Sequence, residues 1–443
     1  MSEYPSTKYQ RGKVFTKAGL KVGSNYAKHH LKRILNNKNA DEVSASNDKK
    51  TLNTENANEL FKAFTQLRGT ALKIAQSLSV DNSGILPDEF LDVMSQAQYQ
   101  VPPLNYTVVS SILKRELGEQ VDSTFESFSK NAIAAASIGQ VHQAQHSDHG
   151  KMAVKIQYPN VRNTIESDLT MAKSIMKRVV NTGKLDDYFK EIYEMLLKET
   201  DYSSEGAYLN HYAEKYRSDV VETPTWIQDL STEKVLSMTF VEGEHLGEFL
   251  KSNPSQEERN YFGQLLWDFF HKQINEQRTI HADAHPGNYK FNRETRTLGV
   301  LDFGCVKTFP EHFFNNYMRA LPLHKDASDA ELRELYKNLQ ILQVEGSKKG
   351  ADEAYYDFFK EFGSDFIRPY RSGVFDFGDE DFKKQISHHM KKATSFKEPV
   401  GSEQFIYASR VHMGLYNMLM KLRASVDTRE AVEHIDAYLS TQN

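Results

Sequence analysis

The chain has 443 residues, 39% of them hydrophobic and 26% charged. That composition supports a sizeable core and excludes global disorder, and a formal net charge of -5 leaves no field that would draw the whole molecule onto nucleic acid. Cys305 is the single cysteine, which excludes an internal disulfide and any site built from several thiolates, and fits a reducing interior.

The first segment is basic. Lys8, Arg11, Lys13, Lys17, Lys21, Lys28, Lys32, Arg33 and Lys38 face only Glu3 before Asp41 and Glu42. Two readings stay open for it: a weakly amphipathic helix lying on anionic lipid, or a solvated tail. Residues 36–57 are rich in Asn, Ser, Asp and Lys and read as a linker, so residues 1–58 form one basic segment with its linker. Residues 59–120 read as a helical extension, because Leu60, Phe61, Phe64, Leu67, Ala71, Ile74 and Leu78 recur at helical spacing.

Residues 121–240 carry strand signals. Ile138, Val141 and Ala144 lead into the turn-forming His146-Ser147-Asp148-His149-Gly150, and Met152-Ala153-Val154-Lys155-Ile156 follows. One long helix is expected from about Asp186 to Tyr216, then strands at Trp226-Ile227 and Val235–Val241. Residues 241–443 read as mainly helical, interrupted by a Gly/Pro-containing loop and a strand pair at 289–301. The order predicts an α+β, two-lobed protein-kinase-like fold, with an N-terminal helical extension, a helical C-terminal region and a cleft between the lobes. No run of about 18 apolar residues is present, nor an apolar leader with a small-residue cleavage site. The expected location is cytoplasmic, with any membrane contact peripheral.

The chemistry concentrates in His281-Ala282-Asp283-Ala284-His285-Pro286-Gly287-Asn288, followed by a strand that ends in Asp302-Phe303-Gly304. Phosphoryl transfer asks little covalent help of a protein. It needs metal to neutralise phosphate charge and a carboxylate to orient the attacking group. Asp283 can orient or deprotonate the nucleophile, and Asn288 and Asp302 offer the hard oxygen ligands that Mg²⁺ prefers. The pattern matches the catalytic and metal-binding loops of kinases. His281 and His285 flank Asp283, but the loop setting argues against a zinc pair.

Lys155, in Met-Ala-Val-Lys, stands where a strand lysine reaches the α- and β-phosphates. Glu205 is the candidate partner that holds it. Met238, Phe240 and Val241 fall where a kinase hinge would bind adenine, with Ala153 on the neighbouring strand. Upstream there is no G-x-G-x-x-G. The stretch from Ala132 to Val141 holds Ala135, Ala136, Ser137, Ile138, Gly139, Gln140 and Val141, and alanine restricts φ where glycine would not. That loop should be stiffer and is the candidate phosphate cover.

Ala-Ala-Ala-Ser-Ile-Gly-Gln-Val resembles the alanine-rich loop of the UbiB (AarF-like) atypical kinases. The run from Leu67 to Gln76 resembles their Lys-x-Gly-Gln helix, and Glu199-Thr200-Asp201 resembles their Glu-x-Asp element. The match runs in order from about residue 60 to 335. The resemblance implies an ATP and Mg²⁺ site, and places Lys73 in it, paired with Glu199, with Asp201 alongside. It implies a link to isoprenoid-quinone or other isoprenoid-lipid metabolism, and ATPase behaviour more readily than protein kinase activity. Ala75 departs from the family's usual Gly, and Ala284 from its usual Pro; neither removes a charged group. Ala282 replaces the Arg that reads a phosphorylated activation loop in many kinases, so control of that kind is not expected. Two other readings remain: a small-molecule phosphotransferase of the aminoglycoside or choline kinase type, and a non-catalytic, nucleotide-gated binding module. The partners expected are ATP, a lipid or isoprenoid small molecule and an anionic membrane surface, with no nucleic acid.

Overall fold

A computed structural model describes residues 5, 7–35, 42–67, 69–79, 88–94, 103–135, 138–177, 185–281, 285–302, 306–342, 349–393 and 401–442. The chain divides into two compact units, Met1–Ala207 with Thr225–Phe240, and Tyr208–Pro224 with Val241–Asn443.

In chain order the first unit contains α1 (Lys8–Leu35), α2 (Glu42–Leu67), α3 (Gly69–Ser79), α4 (Asp88–Met94), α5 (Tyr106–Leu117), α6 (Val121–Thr124), β1 (Ser127–Phe128), β2 (Ala134–Ala135), β3 (Gly139–His146), β4 (Gly150–Gln157), α7 (Val161–Met176), α8 (Leu185–Glu199) and the start of α9 (Tyr202–Tyr216). The strand β5 (Val221–Glu222) belongs to the second unit, and β6 (Val235–Thr239) returns to the first.

The basic N-terminal segment is a docked helix. Arg11, Phe15, Ala18 and Val22 are buried along one face of α1, at the spacing of an inward helical stripe. Its cations Lys13, Lys17, Lys21 and Lys28 lie on the exposed face. The stretch expected to be a linker is, from Glu42, the first half of α2. The asparagines that suggested a loop are buried and partnered: Asn25 Nδ2 donates to Asn56 Oδ1 at 3.1 Å, and Asn53 Nδ2 to Glu89 Oε2 at 3.0 Å. Phe15, Phe64, Leu67, Ile74, Leu169 and Leu196 join α1, α2, α3, α7 and α8 in one apolar cluster.

The helix expected from 186 to 216 is two helices. The break is at Thr200-Asp201, where the Asp201 carboxylate accepts from the Ser203 and Ser204 N–H groups, each at 3.2 Å, and from the Ser204 hydroxyl at 2.7 Å. That is an N-cap for α9, and an Asp two residues before a pair of serines is the signal that marks it.

The sheet runs β1-β3-β4-β6, with β2 also paired to β3, all antiparallel. Its two faces differ. Ala144, Met152, Val154, Ile156 and Val235 pack with Val109, Ile112 and Leu113 of α5. Because side chains alternate along a strand, the opposite face carries Gly139, Val141, Ala153, Lys155 and Met238. The register sets Val141 across from Lys155, and Ala153 across from Met238.

The second unit adds α10 (Leu246–Lys251), α11 (Gln256–Gln277), β7 (Thr279–His281), β8 (Tyr289–Asn292), β9 (Thr297–Val300), β10 (Val306–Thr308), α12 (Glu311–Asp326), α13 (Asp329–Asn338), α14 (Lys349–Phe366), β11 (Val374–Asp376), α15 (Glu380–Ala393), α16 (Glu403–Leu422), β12 (Ser425–Asp427) and α17 (Arg429–Ser440). β5 lies parallel to β9, which pairs antiparallel with β8, and β7 pairs with β10.

Four buried polar side chains cross the helical core of this unit. His271 Nδ1 lies 2.8 Å from the Trp267 carbonyl and its Nε2 lies 2.9 Å from the Tyr370 hydroxyl. That hydroxyl is 2.8 Å from His412 Nε2, and His412 Nδ1 is 2.8 Å from the Tyr317 hydroxyl. A carbonyl only accepts, so His271 donates from Nδ1 and accepts from Tyr370. Tyr370 then accepts from His412, which accepts from Tyr317. Every group is satisfied only with both imidazoles neutral. Burial pushes His271 down to about 4 and His412 well below its ordinary value. The unfolded chain therefore binds protons near pH 6.5 that the folded chain refuses, so stability is full above that pH and falls as the pH drops toward 4. His271 alone accounts for about 3 kcal/mol of that loss. Urea unfolding at pH 7.5 and pH 5 checks it, and His271→Gln should flatten the dependence.

Candidate functional site

Lys155 leaves the sheet face opposite the α5 core, and its Nζ lies 2.6 Å from Glu205 Oε1 on α9. Both side chains are largely buried, at 16% and 13% exposed. That burial matters, because an exposed pair contributes little, whereas a desolvated one holds its geometry. The Lys155 ammonium also sits 4.9 Å from the centre of the Tyr202 ring, one helical turn before Glu205. Burial pushes the Tyr202 hydroxyl far above its ordinary value, the nearby Lys155 charge working against this, so the hydroxyl stays protonated. At Gly139 a side chain is excluded: a Cβ would lie 2.6 Å from the Tyr202 hydroxyl oxygen and 2.7 Å from the Ile156 carbonyl.

Lys73 on α3 pairs with Glu199 at the end of α8 at 2.8 Å, each about a quarter exposed. The Thr70 hydroxyl, one turn earlier, donates to the Val161 carbonyl at 2.9 Å and ties α3 to α7. Asp201 is held by its cap. Burial alone would raise its carboxyl, but the Ser204 hydroxyl and the Ser203 and Ser204 N–H groups carry it below the usual value.

The candidate nucleotide residues divide between the two faces of the sheet. Val141, Ala153 and Met238 share the face of Lys155. Gln140 faces the other way and is engaged: the Leu104 N–H donates to its Oε1 at 2.6 Å, and its Nε2 lies 2.8 Å from His142 Nε2. Ile138 packs with Tyr158 and Val161. Ala135 is exposed at the end of β2, and Ala136 and Ser137 lie outside the described residues. The Phe240 N–H donates to the Lys151 carbonyl at 3.1 Å, and Val241 opens the second unit as a buried residue.

In the second unit His281 is 2% exposed at the end of β7. Its N–H donates to the Gln273 carbonyl oxygen Oε1 at 2.8 Å, and its Nε2 donates to the Asp302 backbone carbonyl. The Leu301 N–H donates to the Asn288 carbonyl at 2.9 Å. β8 and β9 pair Tyr289 with Val300, so Asn288 and Asp302 stand beside one another at the same end of one hairpin. The His285 ring accepts from the Gly287 N–H at 3.1 Å and shapes the turn before Asn288. Asp283, Phe303 and Gly304 lie outside the described residues. Sequence reasoning did not single out His281 or Gln273 as supports for Asp302, and their burial is the property that spacing alone does not show.

A strand lysine held by a helix glutamate, and a His that grips the backbone of an Asp at the end of a hairpin, define a protein-kinase-like protein. The ABC1 atypical kinase-like domain matches residues 96–333, more than half of the chain, and the chain belongs to that family: it is a UbiB/AarF-like atypical kinase. It is 25% identical to the probable serine/threonine-protein kinase abkA of Dictyostelium discoideum, over 97% of this chain and 79% of that one. It is 26% identical to the mitochondrial atypical kinase COQ8 of Saccharomyces cerevisiae, over 87% of this chain and 77% of that one. Among solved structures it resembles the Rv3197–erythromycin complex from Mycobacterium tuberculosis, with a TM-score of 0.60 and 26% identity, covering 89% of this chain and 97% of that one. The family match selects the atypical-kinase reading over the aminoglycoside or choline kinase type. Among the described residues no helix is long and apolar enough to cross a membrane.

Proposed function

We propose that this chain is an ATP- and Mg²⁺-dependent atypical kinase or ATPase that serves isoprenoid-lipid, quinone-related metabolism. The observation that carries the nucleotide reading is the buried Lys155–Glu205 pair on the face of the sheet opposite the α5 core. In this reading Lys155 binds the α- and β-phosphates, Glu205 fixes it, and Ala153, Met238, Phe240 and Val241 receive the adenine. Asp283 orients the attacking group. Residues Ala135 to Val141 cover the phosphates, with Gln140 acting through its grip on Leu104.

Asn288 and Asp302 suit Mg²⁺, since one carboxylate and one carboxamide supply hard oxygens and leave positions for water and phosphate. When bound, that ion neutralises charge on the transferring phosphoryl group. Lys73, on the helical extension that we take to span residues 59–120, forms the family's accessory element together with Glu199 and Asp201.

The lipid part of the proposal is supported by α1. Its outer face carries Lys13, Lys17, Lys21 and Lys28, with Tyr9 83% and Leu20 70% exposed. Cations flanking exposed apolar side chains suit the surface of an anionic bilayer, and the working location in this reading is the aqueous side of such a membrane.

The test is ADP release by the purified chain, with Mg²⁺ or with excess chelator, and with neutral or anionic vesicles. The reading expects release that needs Mg²⁺ and rises with anionic vesicles. Release that is equal in chelator removes the metal-assisted site, and a response indifferent to vesicle charge removes the lipid part alone.

A further inference from the structure

We propose that the Tyr202 hydroxyl is a phosphate-binding donor, taking an oxygen of the nucleotide held at Lys155. This deepens the ATP reading above and rests on it. Tyr202 is fully buried, and its hydroxyl has no hydrogen-bond partner among the described residues. Buried hydroxyls in folded proteins nearly always find a partner, so one that does not calls for a cause. Replacing it by Phe would cost the unliganded protein nothing at that atom.

The surroundings say what would satisfy it. The hydroxyl lies against Gly139, on the face of the sheet that carries Lys155, Ala153 and Met238. The Lys155 ammonium stands over its ring at 4.9 Å. A protonated phenol beside an ammonium is suited to an anionic oxygen, which accepts from both. The other acceptors nearby are committed. Glu205 is paired with Lys155 and Glu199 with Lys73. The hydroxyl is packed directly on the Gly139 backbone, where an added Cβ would lie 2.6 Å from its oxygen.

The experiment titrates the full chain with ATP in Mg²⁺ and with adenosine, which lacks phosphates, for the wild type, Tyr202→Phe and Lys155→Met. Tyr202→Phe should bind ATP about tenfold more weakly, the effect of losing one hydrogen bond to a charged group. It should bind adenosine as the wild type does, and melt at the same or a higher temperature without ligand. Unchanged ATP affinity in Tyr202→Phe, beside a loss in Lys155→Met, would overturn the donor and leave the nucleotide reading standing. Equal losses for ATP and adenosine, or a lower melting temperature, would make Tyr202 structural and overturn it too. A wild type that binds neither probe would remove the nucleotide reading itself.

Discussion

Asp302→Asn should lower Mg²⁺-dependent ADP release by on the order of 10²–10³-fold, the usual scale for removing one group that stabilises developing charge. The substitution keeps the shape of the side chain and removes its charge. A hard divalent cation is held by charge more than by shape, so the amide is a poor replacement. The backbone at this position is fixed independently of the carboxylate. His281 holds the Asp302 carbonyl, and the adjoining Leu301 N–H is bound to Asn288. The variant should therefore fold as the wild type does, with a melting temperature within about 2 °C. A coupled-enzyme assay at saturating ATP reads the loss, and raising Mg²⁺ should recover part of it. Release at the wild-type rate would show that Asp302 holds no metal.

Arg11→Ala should cost about 3–5 kcal/mol of stability, the cost of breaking a buried ion pair by removing one partner. Arg11 Nε lies 2.8 Å from Asp168 Oδ1 and Nη2 lies 2.5 Å from Oδ2, with the side chains 1% and 0% exposed. Nη1 also donates to the Leu67 carbonyl at 2.8 Å, so one guanidinium joins α1, the end of α2 and α7. Burial raises the Asp168 carboxyl and Arg11 opposes that rise. Without Arg11 the carboxylate is buried alone. Urea unfolding measures the loss. Lys13→Ala, on the exposed face of the same helix, should stay within about 0.5 kcal/mol. Pairing Arg11→Met with Asp168→Leu should recover much of the loss, because it removes both charges and fills the space.

Arg11 also shows where the sequence is hard to read. In a basic segment one more arginine looks like a surface charge. Only its position four residues before Phe15, seven before Ala18 and eleven before Val22 places it on the buried stripe. The asparagines of α2 mislead for a related reason. Composition marks them as loop formers, while tertiary packing gives Asn53 and Asn56 partners that no local rule anticipates. The break between α8 and α9 was present as a capping signal at Asp201, but the apolar period runs smoothly across it.

The elements that were legible are local ones. The β3–β4 hairpin follows from alternating side chains around a Gly-ended turn, and β8 and β9 from a strand pair around a polar turn. Glu205 was named as the candidate partner of Lys155 from its place on the expected helix, and the Lys73–Glu199 contact came only through resemblance. Gln140 was grouped with its neighbours in the loop, and strand alternation turns it to the opposite face from Val141. The supports behind Asp302 were not legible, since nothing local distinguishes Gln273 from other helix glutamines.

The central claim is that this chain binds ATP together with Mg²⁺ through Lys155, and calorimetric titration of the purified full chain tests it most directly. The account predicts saturable ATP binding that weakens strongly in chelator and is lost in Lys155→Met, with the variant still folded by circular dichroism. Binding of equal strength in wild type and Lys155→Met, or in Mg²⁺ and chelator, would contradict it.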